Sequence, residues 1–220
     1  SFPTRRSSDL IMIGPSSSHT AGAVRLGLMA KNIYKNTPKS VTFCLYNSYA
    51  HTGKGHGTEK GLLAGVLGLS VDDRKIKDIF NSDLAKQIDY KFEYKDNFKY
   101  HPNAVDIIFD GDNKMFISGE SVGAGEIEIT KINDFNVKLT GKYNTVLLVY
   151  KDKPGMISQV SSLLQYHNIN IASLNCDRSG KGREASMIIS VDGNIHSEII
   201  DNIEEIPEVY FVSYVEKLEN

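Results

Sequence analysis

Apolar residues in the first part of the chain follow a helical period in some stretches and a strand period in others. Helical spacing covers residues 21–34 and 58–69, where apolar positions recur every three or four residues. A weaker region of helical spacing covers residues 71–88. The pattern predicts two helices and a third, less regular helical segment.

Strand signals lie between and after these helices. Runs of β-branched and aromatic residues, or strict alternation of apolar and polar residues, predict strands over residues 41–46, 90–94, 104–109, 115–117 and 126–132. The cluster Asp110-Gly-Asp-Asn113 lies between two of them and is typical of a hairpin turn. We therefore expect an α+β domain with a mixed sheet over residues 11–140. A polar stretch, residues 133–142, is predicted to link it to the rest of the chain.

Residues 143–220 carry a different pattern. The predicted order is strand, helix, strand, strand, helix, strand, over residues 145–150, 157–167, 169–176, 184–191, 198–205 and 209–215. This βαββαβ order is the ferredoxin-like layout. A chain of 220 residues is long enough for two domains with separate cores.

Composition excludes several classes of function. A net charge of −2 leaves no basic surplus for binding nucleic acid or an anionic membrane. No apolar run approaches the roughly 18 residues that a spanning helix needs. The two cysteines, Cys44 and Cys176, are too few for a disulfide framework or a cysteine-based metal cluster, and Cys44 is expected in the core. We expect a cytoplasmic protein with no metal ligands of its own.

The first ten residues fit neither a helix nor a strand. They match the conceptual translation of a common sequencing-adapter read. We expect residues 1–10 to be a non-native artefact in place of the true N-terminus, so they carry no weight in the fold prediction.

The segment Ile13-Gly-Pro-Ser-Ser-Ser-His-Thr20 holds the densest cluster of polar side chains. Gly14-Pro15 indicates a turn, and the Ser and Thr residues ahead of the first predicted helix indicate an N-cap. Hydroxyls and free N–H groups at a helix N-terminus favour an anion such as a carboxylate or phosphate. His19 adds a side chain whose pKa lies near neutrality, which suits proton transfer. A plain helix cap is the alternative that this segment alone leaves open.

A second motif, His51-Thr-Gly-Lys-Gly-His-Gly-Thr58, precedes the second predicted helix. Its alternate glycines predict a loop whose backbone can approach a ligand closely. Its two histidines are five residues apart, which is not the i, i+4 spacing of helical metal ligands. Gly53-Lys54 does not fit a nucleotide-binding loop, because the preceding glycine and the following Ser or Thr are missing. We expect both motifs to be loops that feed helix N-termini and meet in one polar pocket.

Together these segments resemble a known family. Ile13-Gly-Pro-Ser-Ser-Ser-His-Thr-Ala-Gly-Ala23 and Thr52-Gly-Lys-Gly-His-Gly-Thr58 resemble the beta portion of iron-sulfur-dependent bacterial L-serine dehydratase, over about residues 11–140. Glu120-Ser-Val-Gly-Ala-Gly125 is similar to a third stretch of that family, with Ala124 where another glycine is expected. The resemblance implies a fold like the allosteric substrate-binding domain of some phosphoglycerate dehydrogenases.

The resemblance also implies an activity. In such enzymes an alpha portion holds a [4Fe-4S] cluster, and L-serine is converted to pyruvate and ammonia. This chain would be the beta subunit of a heteromeric lyase, with the cluster ligated by the partner alpha subunit and acting as a Lewis acid on the substrate hydroxyl. His19 and His56 are the implied residues for proton transfer or for orienting the substrate, with no choice between them. The implied contacts to the substrate carboxylate or amine are Ser16, Ser17, Ser18 and Thr20.

The C-terminal segment resembles the ACT domain, a small amino-acid-sensing module. The Lys-Pro-Gly loop at residues 153–155 and the step Asn168-Ile-Asn-Ile171 carry this resemblance. ACT domains usually pair side by side and bind an amino acid where a loop of one meets a strand of the other, which implies self-association. The implied ligand-binding residues are Asp152, Pro154, Gly155, Met156, Ile157, Asn168 and Ile171. A turn that has lost its ligand remains the alternative.

Two interpretations of the whole chain stay open. The favoured one is the lyase subunit. The alternative is a non-catalytic regulatory protein, related to the allosteric domains of phosphoglycerate dehydrogenases, whose Ser/His motif holds a small anion without turning it over. The remaining histidines His101, His167 and His196 have no converging polar neighbours in sequence, and we expect them at the surface or at helix caps.

Overall fold

The computed structural model describes residues 16–219, except for the side chain of Lys54. The chain divides into two compact units, the first ending at Glu128 and the second running from Ile129 to Leu218, while Glu219 is grouped with the first. The supposed artefact at residues 1–10 lies outside the described residues. The domain boundaries predicted from the sequence, 11–140 and 143–220, stay a prediction.

The first unit contains every helix and strand that its sequence predicts. A π-helical turn, Ser17–Ala21, continues directly into the first helix. The helices are α1 (Gly22–Tyr34), α2 (Asn47–His56) and α3 (Thr58–Val66), and the weak helical region forms two 3₁₀ segments, Arg74–Asn81 and Ala85–Gln87. The strands are β1 (Ser40–Tyr46), β2 (Asp89–Lys95), β3 (Ala104–Asp110), β4 (Met115–Gly123) and the start of β5 (Glu126–Ile132).

The sheet of this unit is mixed, as predicted. β1 is parallel to β2 and antiparallel to β3, and β3 is antiparallel to β4. The strand order is therefore β2-β1-β3-β4. Val41, Phe43 and Leu45 alternate along β1 and are almost fully buried, because alternate residues of a strand share one face. This architecture confirms the α+β class.

Helices α1 and α3 touch through their backbones. A Cβ atom on Gly27 would clash with the carbonyl of Leu62, and one on Gly65 would clash with the carbonyl of Val24. Only glycine allows this approach. Near the start of both helices a Cβ on Gly61 would lie 2.9 Å from the carbonyl oxygen of Thr20. The beginnings of α1 and α3 are therefore held side by side.

The predicted loop at residues 51–58 is wrong, because residues up to His56 form helix α2. The glycines that suggested a loop serve packing and chain reversal instead. A Cβ on Gly53 would press against Thr58 and Leu45, at 3.3 and 3.4 Å. Gly57 has a left-handed φ of +79°, which ends α2 and lets α3 begin at the next residue. Tertiary packing thus overrides the low helix propensity of glycine.

The predicted polar linker at residues 133–142 is also wrong. Phe135–Leu139 forms strand β6, which pairs antiparallel with β5. Phe135, Val137 and Leu139 are buried, and the residues between them are exposed. Three strand residues among polar neighbours are too short a pattern to stand out in the sequence.

The second unit has the predicted ferredoxin-like order. Its further elements are β7 (Asn144–Lys151), α4 (Met156–Tyr166), β8 (Ile171–Arg178), β9 (Glu184–Val191), α5 (Ser197–Glu204) and β10 (Val209–Val215). The strand order is β10-β7-β9-β8, with every neighbouring pair antiparallel. Its core joins both helices to the sheet through residues such as Val146, Val160, Met187 and Ile203. Among residues 16–219, none of the helices combines the length and apolar character that crossing a bilayer requires.

Candidate active site

The first motif forms a capped helix start rather than an extended loop. The Oγ of Ser16 accepts a hydrogen bond from the N–H of His19 at 3.2 Å, and its carbonyl accepts one from the N–H of Thr20 at 3.0 Å. The N–H of Gly22 reaches back to the carbonyl of Ser17, which makes this turn π-helical. The first N–H groups of a helix have no acceptor within it, so this end favours a negative charge. Ser17 and Ser18 are partly exposed there.

The second motif supplies the surroundings of His19. The Nε2 of His19 lies 3.0 Å from Oγ1 of Thr52 and 3.3 Å from Oγ of Ser48, both on α2. The hydroxyl of Thr52 donates a 2.7 Å hydrogen bond to the carbonyl of Ser48. The imidazole of His19 is therefore held by two hydroxyl oxygens one helical turn apart.

The two predicted histidines lie together. The ring centroids of His19 and His56 are 5.1 Å apart, with the ring planes inclined by 49°. The hydroxyl of Thr20 donates a 2.7 Å hydrogen bond to the carbonyl of His56. Thr20 is almost fully buried, whereas the side chain of His56 is exposed. The predicted meeting of the two motifs is confirmed, although it joins a helix start to a helix end.

Burial and the neighbouring ring keep His19 neutral. Desolvation lowers the pKa of its imidazole, and the charge of His56 lowers this pKa further. A base with a lowered pKa is unprotonated at neutral pH and can accept a proton.

Tyr49 of α2 forms the floor of this cluster. Its side chain is fully buried, and its hydroxyl donates a 2.8 Å hydrogen bond to the carbonyl of Ser18. Its ring meets His19 edge to face at 5.3 Å. Burial raises the pKa of the Tyr49 hydroxyl, and the nearby hydroxyl of Ser121 offsets part of this shift. Tyr49 thus acts as a fixed neutral donor that holds the first turn.

The third motif joins the same cluster through Ser121. This residue lies on β4, is fully buried, and packs so closely against Gly22 that a Cβ there would clash with its hydroxyl. The turn after β4 places Ala124 at a φ of +52°, between two glycines with φ of +104° and +79°. The resemblance to the family leads to the expectation of a glycine at position 124. The left-handed backbone of Ala124 explains this expectation, because glycine adopts a positive φ without strain.

Asn47 fixes the start of α2. Its backbone is left-handed, with a φ of +49°. Its side-chain amide donates to the carbonyls of Asn97 and Tyr100, both at 3.0 Å, and its oxygen accepts the N–H of Asn97 at 2.9 Å. The loop after β2 and the helix that carries Ser48, Thr52 and His56 are therefore locked together.

The remaining histidines lie away from this cluster. His51 forms an exposed hydrogen bond with Asp96, with 2.6 Å between Nε2 and Oδ1. The Nδ1 of His101 accepts the N–H of Asn103 at 3.1 Å within a turn. His167 and His196 flank the ends of α4 and α5. The cap positions of His167 and His196 agree with the sequence-based expectation, whereas His101 is half-buried in its turn.

The donor set of this chain does not fit an iron-sulfur cluster. Cys44 is buried on β1, as predicted, and Cys176 is exposed on β8 in the second unit. Among the described residues, no three His, Cys, Asp or Glu side chains are grouped as metal ligands.

A second candidate site lies in the C-terminal unit. A cavity of about 540 Å³ is lined by residues of β7, the loop after it and α4, including Asp152, Pro154, Gly155, Met156 and Ile157. Gly155 has a φ of +92° and precedes α4 directly. Asn168 and Ile171, also predicted to bind the ligand, do not line this cavity; Asn168 has a φ of +57° in the turn after α4. The carboxylate of Asp152 accepts the N–H of Gly182 at 3.0 Å, which ties it to the turn between β8 and β9.

The sequence did not single out Ser48, Tyr49 or Asn47. Once residues 47–56 are known to be helical, Ser48, Thr52 and His56 follow at i, i+4 and i+8 on one face. Assigning a loop here concealed that spacing.

Each of the two units matches a known protein family. Residues 9–131 match the family of the serine dehydratase beta chain, and residues 146–211 match the AHAS small subunit-like ACT domain.

Individual relatives agree with these matches. The L-serine dehydratase beta chain of Peptoniphilus asaccharolyticus is 38% identical over 213 residues, covering 94% of each chain. A protein of Bacillus subtilis (strain 168) named "Probable L-serine dehydratase, beta chain" is 37% identical over 206 residues, covering 93% of this chain and 94% of its own length. D-3-phosphoglycerate dehydrogenase of Bacillus subtilis (strain 168) is 26% identical over 160 residues, covering 71% of this chain and 30% of its own length.

Proposed function

Because this chain belongs to the serine dehydratase beta chain family and carries an ACT domain, we propose that it is one subunit of an L-serine ammonia-lyase. Such a lyase converts L-serine to pyruvate and ammonia. The observation that carries the proposal is the meeting of two motifs, with His19 and His56 centred 5.1 Å apart beside a helix N-terminus. That arrangement combines an anion-binding element with a proton acceptor, which the deamination of an amino acid requires.

The first turn binds the substrate carboxylate in this proposal. Its first N–H groups carry the positive end of the helix dipole, and the partly exposed residues Ser17 and Ser18 stand beside them. Ser16 is occupied as the cap of the turn. Thr20 is occupied by the carbonyl of His56, so it positions the two motifs rather than touching the substrate.

The proton acceptor for the Cα–H bond is His19 or His56. His19 is held by Thr52, Ser48 and Tyr49, and the lowered pKa of its imidazole keeps it neutral. His56 is exposed, so it stands where a substrate or a second chain can reach it. Holding the base before the substrate arrives lowers the entropic part of the barrier.

The partner in this proposal is the alpha subunit. A [4Fe-4S] cluster held by that subunit would supply a Lewis acid for the departing hydroxyl of serine. This chain has two cysteines, of which one is buried and the other exposed in the second unit, and it contributes no cluster ligands. In this proposal the residues of this chain bind the substrate carboxylate, orient the substrate and accept the α-proton.

The ACT domain is proposed to regulate the enzyme or to pair its subunits. The cavity beside Gly155 has a volume of about 540 Å³, enough for an amino acid, and five of the seven implied ligand-binding residues line it. Self-association through this domain is part of the same proposal.

The test is activity in the assembled enzyme. The full chain is co-expressed with its cognate alpha chain under anaerobic conditions, and pyruvate formation from L-serine is measured. A complex with an intact cluster that forms pyruvate supports the lyase. A complex with an intact cluster that forms none refutes it.

The regulatory alternative gives a different result. Its support is the match to D-3-phosphoglycerate dehydrogenase, which spans 71% of this chain. A regulator would bind a small carboxylate or phosphate at the first motif without consuming it. Calorimetric binding of L-serine by the assembled protein without pyruvate formation would favour that alternative.

A further inference from the structure

Thr52 and Ser48 lie one turn apart on α2, and their hydroxyl oxygens contact the same ring nitrogen of His19. The distances to Nε2 are 3.0 Å from Thr52 Oγ1 and 3.3 Å from Ser48 Oγ. Neither residue has a role in the site implied by the family resemblance. What they do to His19 depends on where their protons go.

The proton of the Thr52 hydroxyl is already committed. It points to the carbonyl of Ser48, at 2.7 Å, in the i to i−4 arrangement common for threonine in helices. A hydroxyl has one proton to donate, and a carbonyl oxygen can only accept. Toward His19, Thr52 Oγ1 can therefore act only as an acceptor.

This fixes the proton on the imidazole. An acceptor facing Nε2 requires that Nε2 carries a hydrogen, and a neutral imidazole carries only one. Ser48 Oγ lies farther from the same nitrogen, at 3.3 Å, and its oxygen can accept a share of that N–H. The bare nitrogen of neutral His19 is then Nδ1.

We propose that Thr52 is a positioning residue that selects the Nε2-protonated tautomer of His19, so that Nδ1 of His19 accepts the α-proton of the substrate. The second half of this proposal rests on the proposed lyase function. The first half is a property of this chain and holds whether or not the chain is a lyase.

The geometry favours His19 over His56 as the base. His19 is fixed by two hydroxyl oxygens and by the edge contact with Tyr49, whereas the side chain of His56 is exposed. A fixed ring keeps its acceptor atom in one place, and misplacement of a reacting group is costly. The lowered pKa of His19 agrees, since the ring is neutral at pH 7; the titratable groups that face it from α2 are His56 and Tyr49.

The step needs no rearrangement of this network. The Cα–H bond breaks, an N–H bond forms at Nδ1, and the electron pair becomes the Cα–Cβ double bond as the Cβ–O bond breaks. The oxygen leaves with its bonding pair, and the proton on Nδ1 passes to it to give water. Thr52 accepts from Nε2 in the neutral and in the charged ring alike, so the ring stays in place throughout.

The tautomer can be read directly by NMR. The full chain is labelled with ¹⁵N-histidine, and His19 is assigned from the signals missing in His19→Gln. We expect long-range ¹H–¹⁵N correlations to show a protonated Nε2 and a bare Nδ1 for His19 above its pKa. A protonated Nδ1 in the wild type would overturn the proposal. This measurement does not depend on lyase activity, so it separates failure of the tautomer from failure of the proposed function.

The role of Thr52 is tested by a matched pair of variants. Thr52→Val keeps the shape but removes the acceptor, and Thr52→Ser keeps the acceptor. In the assembled enzyme we expect Thr52→Val to lower kcat about tenfold while KM for L-serine changes less than about twofold. Its NMR spectrum should show a mixture of tautomers, and Thr52→Ser should restore both properties. A folded Thr52→Val protein with the wild-type tautomer and the wild-type kcat would overturn the assignment.

Discussion

The hydroxyl of Thr20 donates a 2.7 Å hydrogen bond to the main-chain carbonyl of His56. The carbonyl stands at the end of α2, where the last carbonyls of a helix have no N–H donor within that helix. The donor stands in the first turn ahead of α1. One buried contact therefore satisfies a helix end and sets the separation of the two histidines.

Removing this contact should destabilise the chain and loosen the site. Thr20→Val keeps the volume of the side chain and leaves the His56 carbonyl without its donor. We expect the free energy of unfolding to fall by about 1–2 kcal/mol, as for other buried hydrogen bonds. Urea denaturation of the full chain measures this. Thr20→Ser retains the hydroxyl and should lose less; equal losses in both variants would contradict the hydrogen-bond explanation.

The two imidazoles should each matter for turnover. In the assembled enzyme, His19→Ala and His56→Ala are expected to lower turnover of L-serine at least about tenfold, or about 1.4 kcal/mol of transition-state stabilisation. His51→Ala is the matched control. Its side chain lies on the same helix but contacts Asp96 at the exposed surface, where polar contacts contribute little. Wild-type turnover in both test variants would remove the catalytic assignment.

Stability should depend on pH through His19. Burial and the charge of His56 lower the pKa of the His19 imidazole in the folded state, from an ordinary value of about 6.5. Between these two pKa values the unfolded chain binds more protons than the folded one. The contribution of His19 is thus complete above about pH 6.5 and is lost as the pH falls through the lower, folded-state pKa.

The measurement is the free energy of unfolding of the wild type and of His19→Gln at a series of pH values. Below about pH 6.5 the wild type should lose stability more steeply than the variant, because only the wild type must protonate this partly buried ring. Parallel curves for the two proteins would show that the imidazole is not perturbed by folding.

Replacing Ala124 should stabilise the first unit. A φ of +52° costs an L-residue about 1–2 kcal/mol, and glycine avoids this cost. The greater freedom of glycine in the unfolded chain offsets part of the gain, about 0.5–1 kcal/mol. We expect Ala124→Gly to raise the free energy of unfolding by about 0.5–1 kcal/mol. Ala50→Gly, inside helix α2, should instead lower it by about 1 kcal/mol; a destabilised Ala124→Gly would contradict the strain at this turn.

Periodicity in the sequence predicted most of the fold. The helices α1 and α3 and every strand except β6 have apolar or alternating patterns, which local spacing reveals directly. Helix α2 was not predicted, because two of its ten residues, Gly53 and Gly55, are poor helix formers. Strand β6 was not predicted, because only three of its residues are buried and apolar. Both depend on tertiary contacts that a local pattern does not contain.

The candidate site was predicted in part. The motifs pointed to His19, His56 and the serines because hydroxyls and imidazoles are concentrated in two short stretches of the sequence. Ser48 and Tyr49 were missed because a serine and a tyrosine after a strand have no distinctive local pattern. Their importance comes from the direction in which α2 leaves β1, and that direction is set by the left-handed backbone of Asn47.

The close backbone contact of α1 and α3 limits how this site can evolve. No side chains separate Gly27 and Gly65 from the backbone of the facing helix. A residue larger than glycine at either position would therefore force the two helices apart. A descendant that accepts a bulkier substrate cannot obtain room by shortening side chains at this contact between α1 and α3. It would have to trim or exchange side chains on the outward part of α2, where Thr52 and His56 are exposed.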